Sequence, residues 1–240
     1  MFQFKEKGRN VKNMNEIEDR PVTWLWYPYI PFGKVTVVHG KNGCGKSMFA
    51  AKLMAACTNK KYLEDMQEIP PGNVLYFSAD DDLSDLVKPR LVQAGAELSH
   101  VYAVNDMLPV TLGDESLEQL VENYGIRMII IDPIQEYLEH DVYKDTQDMT
   151  YPVLYKLEKL AKESGCAVVL MAYSDGAGSR HGEVWKSEFA EKISSVFCLE
   201  RHGERSGEVS LIHEKCILAP EGKTRTFRLD GGEKPVPVHS

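Results

Sequence analysis

Cysteine is scarce: the 240 residues hold five, at Cys44, Cys57, Cys166, Cys198 and Cys216, with no C-x-x-C pair. Such spacing suits neither a disulfide framework nor a cysteine zinc site, and it points to a reducing, cytoplasmic setting. The seven histidines show no H-E-x-x-H or other ligand spacing, so no zinc is assigned to them. Long hydrophobic runs are missing as well. The longest, Cys166 to Tyr173, is less than half of the roughly 20 residues a bilayer span needs. The opening Met1 to Lys7 is too charged for a signal peptide, so no membrane association is expected. Positive charge is in deficit, with 28 Lys and Arg against 36 Asp and Glu for a net −8. A histone-like or basic coat protein is thereby excluded, and any contact with DNA requires a local basic patch.

What is present is ordinary for a folded chain: 43% hydrophobic and 27% charged residues, which excludes a disordered or collagen-like polymer. No internal repeat or interdomain linker appears. Residues 1–20 are polar and without period, and are expected to form a mobile arm. Residues 21–232 read as one domain, and 233–240 as a disordered tail. Within the domain, Val35 to His39 is a short β-branched run bounded by glycines, which predicts a buried strand. Helical spacing follows over Met48 to Cys57. Asn73 to Ser78, Val101 to Val104, Arg127 to Asp132 and Ala167 to Ala172 read as further strands. Leu83 to Ala94, Asp114 to Tyr124 and Pro152 to Ser164 read as helices, the first with Pro89 at a kink or boundary. Three closing strands are expected over Ser195 to Leu199, Glu208 to His213 and Thr224 to Leu229. Strands apolar on both faces and separated by helices predict a mostly parallel sheet covered on both sides.

Between the first strand and first helix lies Gly40-Lys41-Asn42-Gly43-Cys44-Gly45-Lys46-Ser47, a full match to G-x-x-x-x-G-K-[ST]. Chance alone produces such a match in about one chain in a hundred of this length, so the strand-to-helix context carries the reading. Glycines let backbone N–H groups converge on a phosphate, and the N-terminus of the helix that opens at Met48 adds its dipole. Lys46 is expected to reach the β/γ oxygens of ATP, and the Ser47 hydroxyl to ligate Mg²⁺. Asp132 closes the Ile129-Ile130-Ile131 run at the sheet's carboxyl edge, where ligands of α/β folds bind. It is the candidate second Mg²⁺ partner, against the plainer reading of a strand-end cap before Pro133. Asp80, Asp81 and Asp82 reach the same edge. Asp82 reads best as a helix cap, whereas for Asp80 a functional role is favoured.

With these pieces placed, the chain resembles the RecA-like ATPases of the RepA type, hexameric replicative helicases of plasmids and phages and their relatives. The likeness runs from about Trp24 to Leu229. It rests on the lead-in Trp24 to Lys34, the strand ending in Asp80-Asp81, the segment Ile131-Asp132-Pro133-Ile134-Gln135, and the closing His213-Glu214-Lys215 and Leu218 to Lys223. The resemblance implies a RecA-type core, ATP and Mg²⁺, a ring or filament (a hexamer in that group), and a role linked to single-stranded DNA or replication proteins. Departures accompany it. Asp80 stands where the group has its catalytic Glu, and Tyr173 where it usually has a γ-phosphate-sensing His. Ala190 and Ser194 replace expected arginines, with Arg180, Lys186 and Lys192 out of register. Lys215 is the remaining candidate for a cross-subunit contact. Missing arginine fingers imply slow turnover, since one is worth a factor of about a thousand or more.

The resemblance also places the loop Ser174 to Ser187, with Arg180, His181 and Lys186, toward a central channel and so toward DNA. The aromatic run Trp24 to Tyr29 reads as packing of the N-terminal segment on the core, with base stacking as the alternative. Lys5, Lys7, Arg9 and Lys12 read as a solvated arm, and Cys44 as a packing-neutral filler. Three functions stay open: a DNA-linked ATPase motor or loader, an oligomeric nucleotide switch with little turnover, and, ranked last, a small-molecule phosphotransferase.

Overall fold

A run of β-branched and aliphatic residues can bury both faces of a strand only if helices cover the sheet on both sides. The computed structural model shows that arrangement. It describes residues 13–19, 21–59, 70–79, 81–104, 115–139, 150–174, 188–203 and 207–228. Eight strands form the main sheet: β3 (Val35–Gly40), β4 (Asn73–Ser78), β5 (Val101–Val104), β6 (Ile126–Asp132), β7 (Ala167–Tyr173), β8 (Ser195–Arg201), β9 (Glu208–Cys216) and β10 (Arg225–Arg228). Their order is β10-β9-β8-β3-β7-β6-β4-β5. The six from β8 to β5 are parallel, and β9 and β10 add antiparallel strands at one edge. This is the RecA-like α/β architecture expected from the sequence.

Alternation along β6 divides the core. Met128 and Ile130 enter one cluster with Phe49, Leu53 and Met54 of α1 (Lys46–Asn59). Ile129 and Ile131 enter the other with Leu117 and Val121 of α3 (Glu115–Asn123) and Leu154, Leu157 and Leu160 of α5 (Thr150–Ser164). Each such side chain contributes about 1.5–3 kcal/mol on burial. Helix α1 is buried around most of its circumference, which explains why it shows no amphipathic stripe.

The expected long helix after Asp82 is divided. A π-helical turn, Leu83–Val87, leads into α2 (Lys88–Ala94), and Pro89 sits in the first turn of α2, at the boundary between the two. Asp82 is the cap the sequence suggested, accepting from the backbone N–H of Ser84 (2.7 Å) and of Asp85 (3.0 Å). Among the described residues, and short 3-10 turns aside, one strand pair and one α-helix have no counterpart among the expected elements. One is the hairpin of β1 (Trp24–Trp26) and β2 (Ile30–Pro31), and the other is α4 (Ile134–Glu139) directly after Asp132.

The aromatic run packs as expected. Trp26 and Tyr29 are buried, and Tyr29 lies against Phe197 and His213. Its hydroxyl donates to the Lys223 carbonyl (2.8 Å) and accepts from Arg225 Nε (2.9 Å). A Cβ on Gly222 would stand 2.5 Å from the Tyr29 ring, so glycine is required at that turn. Residues 13–19 are exposed; residues 1–12 and 229–240 lie outside the described residues, and with them the arm and tail expectations.

Candidate functional site

The order of strands places β3 between β7 and β8, both later in the chain. The chain leaves β3 through α1, builds the far half of the sheet, and returns to either side of β3. Such a reversal opens a crevice at the carboxyl ends of the strands. The loop from Gly40 to Ser47 lies at that crevice. Gly43 and Gly45 have φ of 72° and 105°, a region that favours glycine. At Gly40 the reason is space: a Cβ would meet the Leu199 carbonyl oxygen at 2.5 Å and Cys44 Sγ at 2.6 Å. Cys44 is thus a buried filler behind the loop, while Lys41, Asn42 and Gly43 are exposed. Met48 packs, half-buried, on the core.

Lys46 opens α1 and is buried. Its ammonium donates to the carbonyls of Gly40 and Lys41, both at 2.9 Å, and lies 4.4 Å from the centroid of the Tyr173 ring. The backbone carbonyls and the ring face hold a charge that burial would otherwise penalise. One residue on, the Ser47 hydroxyl donates to the Asp132 carboxylate. Asp132 ends β6 and is buried, and burial pushes its carboxyl above the ordinary carboxylate range, opposed by the Ser47 and Tyr76 hydrogen bonds and the Lys46 charge. The Tyr76 hydroxyl from β4 donates to Asp132 Oδ2 at 3.2 Å. Burial and the adjacent Asp132 carboxylate push the phenol far upward, so it stays protonated as a donor.

Gln135, the second residue of α4, clamps the end of β7. Its amide nitrogen donates to the Tyr173 carbonyl (3.2 Å), and its amide oxygen accepts from the Tyr173 N–H (3.3 Å). The next N–H, of Ser174, donates to the Gly40 carbonyl (3.1 Å). The phosphate loop, the end of β6 and the end of β7 are therefore one hydrogen-bonded unit. Sequence reasoning missed Tyr76 and Gln135 as members of it. A signal existed for Tyr76, since a tyrosine inside an all-apolar strand must find a partner for its hydroxyl; Gln135 is marked only as the close of the segment Ile131 to Gln135, with no role attached.

The other candidates separate. Asp81 is ion-paired with Arg90 of α2. Lys215, on β9, donates to the Ala190 carbonyl of its own chain. Asp80 and Arg180 lie outside the described residues, as do Lys186 and most of the loop expected to face DNA. The oxygen donors of Ser47 and Asp132, side by side at the mouth of the loop, fit Mg²⁺, a hard cation that prefers carboxylate and hydroxyl oxygens. The loop's glycines and the N-terminus of α1 suit a triphosphate. No helix among the described residues is long and apolar enough to cross a membrane.

A family model described as AAA domain matches residues 4–175. The matched span contains the phosphate loop, Tyr76, Asp132, Gln135 and Tyr173, and ends before β8, β9 and β10.

Proposed function

The chain belongs to the AAA domain family of nucleotide-binding P-loop ATPases, and from that premise we propose that it is a slowly hydrolysing, self-associating ATPase with a role in DNA replication or recombination, a helicase or loader of the RepA kind. The observation that carries the nucleotide reading is the meeting of Lys46, Ser47 and Asp132 at the carboxyl edge of the sheet. Residues Gly40 to Met48 bind the triphosphate, with Lys46 on the β/γ oxygens. Ser47 and Asp132 hold Mg²⁺, which screens phosphate charge when bound. Residues 21–232 form the single ATPase domain, working in the cytoplasm. The RepA resemblance supports a ring or filament, a hexamer as in that group, with Lys215 as a cross-subunit contact and single-stranded DNA or replication proteins as partners, Arg180 on the loop facing the DNA.

Asp80 is the proposed base or water-positioning residue. Asp is shorter than Glu by one carbon–carbon bond, about 1.5 Å, and a misplacement of about 1 Å costs roughly a hundredfold in rate. Asp80→Glu is expected to raise turnover at unchanged ATP affinity and Asp80→Asn to lower it. Turnover untouched by Asp80→Asn moves the role to Asp81.

The second reading, a nucleotide-switched oligomer with little turnover, is favoured by Tyr173 at the sensor position and by Ala190 and Ser194 in place of arginines. ATP turnover with and without single-stranded DNA, alongside mass in solution, separates them. Stimulated turnover by an oligomer supports the motor or loader. ATP-dependent assembly without stimulation supports the switch. A monomer that binds no ATP overturns both.

A further inference from the structure

Outside the nucleotide pocket, three side chains of different donor chemistry meet on one face of the sheet. His39 precedes Gly40 on β3 and is paired in register with Cys198 on β8. Both continue the strand phase of Val37 and Val196, which face the core cluster under α5. Between β8 and β9, Val196 is registered with Lys215 and Phe197 with His213, so Glu214 is the extra residue of a bulge. A bulge re-aims a side chain. Here the Glu214 carboxylate stands 2.7 Å from His39 Nε2. One ligand atom each of His39, Cys198 and Glu214 lies within 4.8 Å of the other two. His39 is buried, Cys198 half-buried and Glu214 exposed, which leaves the group open to solvent on one side.

We propose that His39, Cys198 and Glu214 form a binding site for a transition-metal dication of the zinc type, with water completing the coordination. An imidazole, a thiolate and a carboxylate suit zinc or cobalt and not Mg²⁺, which takes oxygen donors. At bond lengths of about 2.0–2.3 Å, tetrahedral donors stand roughly 3.3–3.8 Å apart. The observed spread therefore closes with small side-chain rotations, and the His39–Glu214 pair opens slightly. On binding, the thiol proton passes to solvent. The proton between Nε2 and Oε2 is displaced to Nδ1 as the ring binds through Nε2. Three ligands from adjacent strands of one rigid sheet need little ordering to close around the ion.

The site is independent of the nucleotide reading, and its test uses the full chain without nucleotide. Titration with Co²⁺ is expected to give one ion per chain, with a near-ultraviolet thiolate-to-cobalt charge-transfer band that Zn²⁺ abolishes by displacement. Cys198→Ser removes the band, and Glu214→Gln weakens Co²⁺ binding at least about tenfold, the low end for perturbing a metal site. Cys216→Ser leaves both unchanged. Absence of the band in the unaltered chain, its survival in Cys198→Ser, or its loss in Cys216→Ser overturns the proposal. Should Cys198→Ser fail to fold by circular dichroism, Glu214→Gln, at an exposed position, decides the matter: unchanged Co²⁺ affinity there rejects the site, and a loss of tenfold or more supports it.

Discussion

The two flanks of β3 bury polar groups to opposite ends. On the β7 side, Lys46, Asp132, Tyr76 and Gln135 gather around a phosphate loop, and Asp132 is held where its charge is disfavoured. On the β8 side, His213 is enclosed by aromatic rings and hydrogen-bonded at both nitrogens. Its Nδ1 accepts from the Gly222 N–H (2.7 Å), and Nε2 lies 2.9 Å from Ser195 Oγ. A backbone N–H can only donate, so Nδ1 carries the lone pair and Nε2–H donates to Ser195. The first flank holds polarity that a ligand would use; around His213 the second consumes its polarity internally, for stability, and its open polar group, His39, Cys198 and Glu214, lies on the opposite face of the sheet. An unfavourable buried carboxylate is a mark of a functional site, whereas a satisfied buried histidine is not.

That contrast can be broken from either side. The largest effect is expected on the β8 flank. Tyr29→Ala removes a buried ring and two hydrogen bonds and should cost about 3–5 kcal/mol of stability, read by urea unfolding. ATP affinity of the remaining folded chain should be unchanged; a parallel loss of affinity would mean that the flanks are coupled. On the β7 flank, Lys46→Ala deletes charge-assisted bonds worth about 1.5–3 kcal/mol each, so ATP affinity should fall about a hundredfold or more by calorimetry. Stability should change far less than in Tyr29→Ala.

Asp132→Asn sharpens the comparison. Because burial holds the native carboxyl above its ordinary value of about 3.9, the native state binds more protons than the unfolded state in the interval between that value and the raised one. Stability from this group is present below pH 3.9 and is lost as pH rises through the raised native value. The neutral amide avoids that loss. Asp132→Asn is therefore expected to melt no lower than the parent at pH 7, while Mg²⁺-dependent turnover disappears. A markedly lower melting temperature would show that the carboxylate is structural. The smallest effect has the opposite sign. Burial holds His213 below its usual pKa of about 6.5, so the native state binds fewer protons and stability declines as pH falls through 6.5. His213→Gln, whose amide can make both hydrogen bonds, should flatten the stability–pH profile between pH 7 and 5.5. An unchanged slope would assign it to another group.

Much of this is legible in the chain. Ile129-Ile130-Ile131 and Val168-Val169-Leu170 can be satisfied only inside a doubly covered sheet, and the loop motif between a strand and a helix marks the pocket without further help. Strand ends are less legible. The residue pattern ends β9 at His213, whereas the strand continues to Cys216 because pairing with β8 outweighs the polar Glu214 and Lys215. Helix α4 is hidden because Pro133 reads as a stop, yet proline is well accommodated just ahead of a helix.

Local pattern determined the elements, the parallel sheet and the phosphate loop, because periodicity and turn chemistry act between residues near in sequence. Tertiary structure alone decided which distant groups meet. Tyr76 finds Asp132 across 56 residues, Gln135 finds Tyr173 across 38, and His39 finds Glu214 across 175. Strand order and register set those meetings, and neither is written in any local stretch of the chain: they follow from which arrangement buries both core clusters at once.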